Sequence, residues 1–262
     1  MSRRSHARIG ALILLVASLL VPARASAQRA RGRFEPTDLN LRPAGVAEID
    51  LQGGYVTGEN GKRWFAPDFE ASIGITSHAE LEVDGTYGLD RNGKGAALDN
   101  TLLALRVQIF DVPDAPGSKS AWSGGVQAGP RFPTLPGNHG LGLEALAIVG
   151  RSAGRMHLYA QAGSLADCAQ AGSDGRSYRP IAVEGGLDLD LDLDDDDAWS
   201  LAGELSAVKF FSEDLDQIHL TLGPSINVTK SLQLSLVGVL GFLRGGDRAG
   251  VLAGATTHFK AF

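Results

Sequence analysis

Cysteine is nearly absent: Cys168 stands alone in 262 residues. That excludes an intramolecular disulfide and a cysteine-built metal site. Long apolar runs are missing too. The longest, at 9–21, holds thirteen residues, against about 20 for a helix that spans a bilayer. Positive charge is scarce beyond the N-terminus. Residues 1–27 carry four of the 24 basic residues and no acid, which leaves 20 basic against 30 acidic, a net of −10. A nucleic-acid partner would need a basic footprint, so none is expected. Glycine, by contrast, is plentiful at 34 residues, and many fall inside segments that otherwise read as strands. In a soluble protein each would weaken its strand, whereas in a barrel they permit bending and close packing of inner side chains.

Metal-binding motifs are also missing. His78, His139, His157, His219 and His258 form no metal pair of the helical type. In "HLTLGPSIN" at 219–227, Thr221 stands where an outer-membrane phospholipase would carry a serine two residues from the histidine. "GENGK" at 58–62 and "RNGKG" at 91–95 lie between strand-like segments with no helix after them, so they read as hairpin turns rather than phosphate loops. No enzyme activity, cofactor or metal is expected.

The N-terminus has a clear design. Arg3, Arg4 and Arg8 precede the apolar stretch, and Ala25-Ser26-Ala27 follows it. This is the pattern of a secretory signal peptide over residues 1–27, cleaved before Gln28. Residues 28–45, polar with Pro36 and Pro43, read as a flexible periplasmic lead.

From Val46 onward the hydrophobicity has period two, the strand signal. Twelve segments follow: 46–57, 64–76, 79–89, 98–110, 120–132, 140–151, 155–164, 179–191, 198–210, 217–228, 231–243 and 250–262. Their lengths suit tilted membrane strands of about 9–11 residues. Connections alternate between one longer set and one that is often tighter, as in outer-membrane barrels. The faces also separate. Leu103, Leu105, Val107 and Ile109 alternate with Asn100, Ala104, Arg106 and Gln108. Lipid outside and water inside would select apolar-out and polar-in, although a soluble sandwich also alternates. Two segments fit less cleanly. Segment 140–151 has aliphatics on both faces, and 155–164 offers only Met156, Leu158, Ala160 and Ala162 outward.

"GGLDLDLDLDDDDAW" at 185–199 holds seven aspartates. Frames starting at Asp188 and Asp190 both lack the glycine and the last acidic ligand of a calcium loop. The run resolves instead into a strand. Leu187, Leu189 and Leu191 face lipid, Asp188, Asp190 and Asp192 face inward, 194–197 forms a solvated turn, and Trp199 opens the next strand. Aspartates two apart on one face lie about 7 Å apart and repel. Pairing with 155–164 would bring Arg155 and His157 near Asp188 and Asp190.

Several stretches resemble a known family. "RFEPTDLNLRPAGVAEIDLQGGYVTG" contains Gly45 and Glu48, and "ASIGITSHAELEVDGTYGLD" contains Gly74-Ile75-Thr76, Glu80-Leu81 and Tyr87. Asp99 then leads "DNTLLALRVQIF", and "QAGPRFPT" at 127–134 ends a strand, with Leu135 where glycine is usual. Over roughly 37–262 the chain is similar to the MetA-pathway-of-phenol-degradation family of outer-membrane β-barrel "transporter" proteins. The resemblance implies an outer-membrane barrel with a transport role, and it supplies no catalytic residues.

The sequence therefore predicts an all-β fold, a transmembrane antiparallel up-and-down barrel of about twelve strands over 46–262. Its partners would be outer-membrane lipid, small solutes and the barrel-assembly machinery. The expected lumen-lining residues are Asp68, Glu70, Glu80, Glu82, Asp84, Arg106, Gln127, Arg131, Glu144, Glu184, Asp188, Asp190 and Glu204. Ten of those thirteen are acidic, so an open lumen would favour cations. The alternative is a non-conducting outer-membrane or periplasmic β protein that acts as a binding or adhesin-like module.

Overall fold

A computed structural model describes residues 39–58, 61–89, 96–171, 176–194, 198–211, 216–243 and 247–262. The expected signal peptide, residues 28–38 of the lead and 195–197 of the aspartate run lie outside the described residues.

Fifteen strands occur among the described residues. They are β1 (Val46–Gly58), β2 (Gly61–Thr76), β3 (Ala79–Leu89), β4 (Ala96–Leu98), β5 (Thr101–Pro113), β6 (Ala121–Phe132), β7 (Gly142–Ala153), β8 (Met156–Ala166), β9 (Gln170–Ala171), β10 (Ser177–Tyr178), β11 (Ile181–Asp192), β12 (Trp199–Phe210), β13 (Gln217–Thr229), β14 (Leu232–Gly241) and β15 (Asp247–Lys260). Three of these, β4, β9 and β10, hold only two or three residues. The other twelve each pair antiparallel with the preceding and following long strand, and β1 pairs with β15 from Val46↔Lys260 to Gly58↔Asp247. The sheet closes on itself, so every long strand has two neighbours and no edge is left unpaired. The fold is a closed twelve-stranded antiparallel barrel. Closure satisfies the backbone without water, which is the condition for strands to cross a bilayer.

Side chains alternate as period two demands. In β7, Glu144, Leu146 and Ile148 are buried, while Leu143 and Val149 are exposed. In β5, Ala104 and Arg106 are buried and Leu105 and Ile109 exposed. Leu158, Leu187, Leu205, Leu222, Leu236 and Val251 continue an apolar outer surface around the barrel. Exposed aromatics bound it. Phe110, Trp122, Trp199 and Phe259 sit where the short hairpins are, and Trp64, Phe132, Phe211 and Phe242 sit at the opposite end, where the longer loops are. An apolar band between two aromatic girdles is the surface a bilayer selects, and one that water would penalise.

Strand limits move by up to three residues from the sequence reading; for instance 98–110 becomes Thr101–Pro113. The register also corrects one neighbour. His157 does pair with Asp190, but Tyr159 stands opposite Asp188. Arg155 is exposed in the turn before β8, so it supplies no charge opposite Asp188.

A closed barrel resists detergent unfolding. The folded protein should therefore migrate differently on a gel before and after boiling. Identical mobility of the two samples, with recovery in a soluble fraction, would exclude a membrane barrel.

Candidate functional site

The inner wall formed by β1, β2, β3, β5 and β6 is organised around Arg106. Its guanidinium lies 3.4 Å from Glu80 and 3.9 Å from Glu70, and it pairs closely with Glu82. Arg106 Nε donates to Gln127 Oε1 at 3.0 Å, and Gln127 Nε2 donates to Glu82 Oε1 at 3.2 Å. Register places the group, since Glu80 stands opposite Arg106 and Arg106 opposite Gln127. One cation thus faces three carboxylates, two of them buried.

A second cation comes from a segment that the sequence treats as lead. Residues 39–45 are seated inside the barrel at the hairpin end. The Arg42 amide donates to Glu80 Oε2 at 2.6 Å, and the Arg42 guanidinium meets Glu48 Oε1 at 2.8 Å. The Gly45 amide donates to the Gly74 carbonyl at 2.9 Å. Leu39 is buried against Leu146, Ile148 and Tyr159 of β7 and β8. The inward aliphatics of segment 140–151 are thus the seat of Leu39.

Two wall glycines make the room. A Cβ on Gly74 would come within 2.2 Å of the Arg42 carbonyl oxygen, and one on Gly125 within 2.7 Å of Leu39 Cδ2. Both are below the closest contacts real side chains make. Gly74→Val is therefore expected to unseat residues 39–45 while β2 stays paired. The check is faster protease cleavage within 39–45, with the gel shift of the barrel unchanged.

At the loop end the lumen is tied by a second polar knot. Arg131 bonds Glu144 and approaches Asp167 Oδ1 at 3.4 Å. Asn100 Nδ2 donates to Asp167 Oδ1 at 3.0 Å, and the Cys168 amide donates to the same oxygen at 2.7 Å. Asn138 Nδ2 donates to Asn100 Oδ1 at 3.1 Å. Loop 133–141 is thereby pinned to the loop that follows β8, with His139 bridged to Ala169. Burial pushes the Cys168 thiol pKa up, which leaves it a poor nucleophile. At the other end, in the turn after β5, hydrogen bonding from Arg151 holds the exposed Asp114 carboxyl below its usual range.

Two cavities open between these groups. The larger, about 300 Å³, is lined by Asn40 and Arg42 of the inserted segment and by Glu48, Asp50, Asp68, Glu70, Glu80, Asp84, Arg106 and Asp190. The smaller, about 40 Å³, touches Glu184 and Glu204. Asp188 is fully buried, and Val56, Leu102, Val237 and Leu252 are nearly so. Apolar side chains therefore fill much of the interior, as twelve strands allow.

The expected residues thus fall into four places. Glu70, Glu80, Glu82 and Gln127 gather at Arg106, with Asp68 and Asp84 beside them on the larger cavity. Asp190 reaches that cavity from the far wall. Arg131 and Glu144 form a separate pair near the loops. Glu184, Asp188 and Glu204 lie along β11 and β12. Sequence reasoning missed Arg42 and Asp167, which lie in segments without periodicity, and left Asn100 out of the lumen lining although it stands on the polar face of segment 98–110. It also passed over Glu48 and Asp50, although period two from Val46 places both on one face.

Ser152, His157 and Asp192 also converge. Ser152 Oγ lies 3.0 Å from His157 Nδ1, and His157 Nε2 lies 3.9 Å from Asp192 Oδ2. The second distance exceeds a hydrogen bond, so the carboxylate does not orient the ring as a catalytic base would require.

No protein-family profile matches the sequence, and no curated protein matches it. Solved structures do. An outer membrane channel from Pseudomonas putida F1 superposes with a TM-score of 0.61 at 11% identity, covering 87% of this chain and 100% of that one. The fold is that of the outer-membrane β-barrels. The NanC porin superposes with a TM-score of 0.57 at 9% identity, over 81% of this chain and 99% of its own. At such identities the likeness is one of fold. The resemblance to the phenol-degradation family rests on its motifs alone.

Proposed function

We propose that this chain is an outer-membrane channel for small solutes, with a lumen that favours cations over anions. The observation that carries the reading is the larger cavity, which faces seven carboxylates and only two arginines, Arg42 and Arg106. A field of one sign in a narrow, low-dielectric tube biases which ions enter. In this reading the hairpin end is periplasmic, the outer band faces lipid, and the assembly machinery inserts the barrel after the signal peptide is removed. The two similar structures, described as a channel and a porin, support it, and the family resemblance agrees with it. The thirteen inward residues listed from the sequence are proposed as the lumen lining.

A second reading, a barrel that binds without conducting, draws on the apolar filling and on residues 39–45 within the lumen. Conductance separates the two. In a planar bilayer under a KCl gradient, the reversal potential should report cation preference, and Asp50→Asn with Asp190→Asn should move it toward zero. Asp50 accepts hydrogen bonds from Gln52 at 2.9 Å and Thr256 at 3.2 Å, both neutral, so its replacement leaves no cation behind. Added salt should weaken the preference, because the Debye length is about 10 Å at 0.1 M. Anion preference would overturn the assignment, and a silent bilayer would favour the binding reading.

A further inference from the structure

The larger cavity has two unlike walls, and strand register sets their order. Asn227, Gln233, Thr256, Asp50, Glu70 and Asp84 stand opposite one another in a single rung, from β13 through β14, β15, β1 and β2 to β3. All six line the cavity. Three neutral hydrogen-bonding groups are thus followed by three carboxylates. The neighbouring rung repeats the order, with Ser200, Ser225 and Ser235 leading across Gly254 to Gln52 and Asp68. Six of the seven lining carboxylates belong to β1, β2 and β3, and the seventh, Asp190, stands opposite His157. Among the described residues, β12, β13 and β14 give this cavity no charged side chain.

The acid half stays net negative even with Arg42 at Glu48 and Arg106 at Glu70 and Glu80, since six carboxylates face two arginines. Asp50, Glu70 and Asp84 stand side by side on neighbouring strands, spread over about 10 Å. Among the described residues, no three histidine, cysteine or acidic side chains converge to hold a metal. Such a row suits an extended organic cation better than a bare ion. Gln52 joins the two halves. It is 8% exposed, and its Nε2 is fixed on Asp50 Oδ2 at 2.9 Å. Its Oε1 is buried with no hydrogen-bond partner among the described residues. An amide oxygen can only accept, so it calls for a donor where the neutral half meets the acids. On the neutral half, Gln233 Nε2 donates to Ser225 Oγ at 3.0 Å, and Ser225 and Ser200 share a hydrogen bond of 2.6 Å. Hydroxyls and amides both donate and accept, which matches the hydroxyls of a sugar or polyol.

We propose that the larger cavity binds a small hydroxylated organic cation, an amino sugar or amino polyol, with its ammonium at Asp50 and Gln52 Oε1 and its hydroxyls on Ser235 and Gln233. Gln233 stands two strands from Asp50, about 10 Å along the wall, a span that one ring with its substituents bridges. The cavity volume of about 300 Å³ lies at the small end of ligand sites, which run from about 300 to 1,000 Å³. The inference rests on the channel reading for the solute's route through the barrel, and it names the class of solute that the lumen selects.

Calorimetric titration needs no current. The full chain, in a detergent without a sugar headgroup, is titrated with D-glucosamine, D-glucose and cyclohexylamine at a pH where both amines are protonated. The three share a six-membered ring and differ in charge and hydroxyls. Glucosamine should bind saturably and about tenfold more tightly than either of the others, the worth of one hydrogen bond to a charged group. Asp50→Asn should cost glucosamine about tenfold and leave glucose unchanged. Gln233→Leu should weaken glucosamine severalfold and leave cyclohexylamine unchanged, and it carries the test if Asp50→Asn loses the gel shift of a folded barrel. Glucose or cyclohexylamine bound as tightly as glucosamine, no saturable binding of any of the three, or undiminished glucosamine affinity in Gln233→Leu would overturn the proposal. A silent bilayer with glucosamine binding intact would refute conduction and support the site, whereas a cation-selective pore that binds no glucosamine would refute the site alone.

Discussion

Excision of residues 29–43, joining Gln28 to Ala44, should raise single-channel conductance several-fold. Residues 39–43 of that segment cross the lumen, from Arg42 at Glu48 and Glu80 to Leu39 on the far wall. Its hold is substantial. Burying a leucine is worth about 1.5–3 kcal/mol, and a hydrogen bond to a charged group adds about 1.5–3 kcal/mol. Together these keep the segment seated nearly all the time, so the wild-type pore should be narrow and steady. Removal also deletes one of two cations from an acidic chamber, so cation preference should sharpen as conductance grows. Leu39→Asp with Arg42→Ala should reproduce part of the gain. Planar-bilayer recording checks both variants, and an unchanged conductance in the excised protein would mean that residues 39–43 do not limit flow.

Arg106→Met should destabilise the barrel by about 3–5 kcal/mol, the usual cost of stripping the partner from a buried ion pair. Glu80 and Glu82 are about 98–99% shielded from solvent, and both pair with Arg106. Methionine matches much of the arginine stem in volume, so the loss would report charge rather than a cavity. The control is the triple variant that adds Glu80→Gln and Glu82→Gln, which removes the orphaned charges and should recover most of the stability. Guanidinium unfolding in detergent, followed by the boiled and unboiled gel mobilities, measures both. A single variant as stable as the wild type, or a triple variant no better than the single, would show that Arg106 is not the hub of this wall. The exposed Arg151–Asp114 pair offers a contrast, since solvent screening should leave its removal without a comparable effect.

The aspartate run illustrates what the alternation of side chains could decide. Leu187 is exposed and Asp188 buried because a strand sends successive residues to opposite faces. That fact, repeated in segment after segment, was enough for the strands, while the even count and the uninterrupted meander favoured a barrel over a sandwich. The double-aliphatic segment 140–151 was also visible, but only as an anomaly. Its cause, Leu39, lies about a hundred residues away in a stretch with no period at all.

From the sequence alone came the strand count and the closed all-β class. These depend on local periodicity and composition, which every strand carries within itself. Register, the docking of residues 39–45 and the partners of each inward charge were settled by the tertiary structure. Alternation names a face but not the neighbour on it, and a shift of two residues keeps the face while changing every pair. Arg106 therefore read as one inward cation among many acids. Only the closed register set it among Glu70, Glu80 and Glu82, and placed Thr221 opposite Glu204 on another part of the wall.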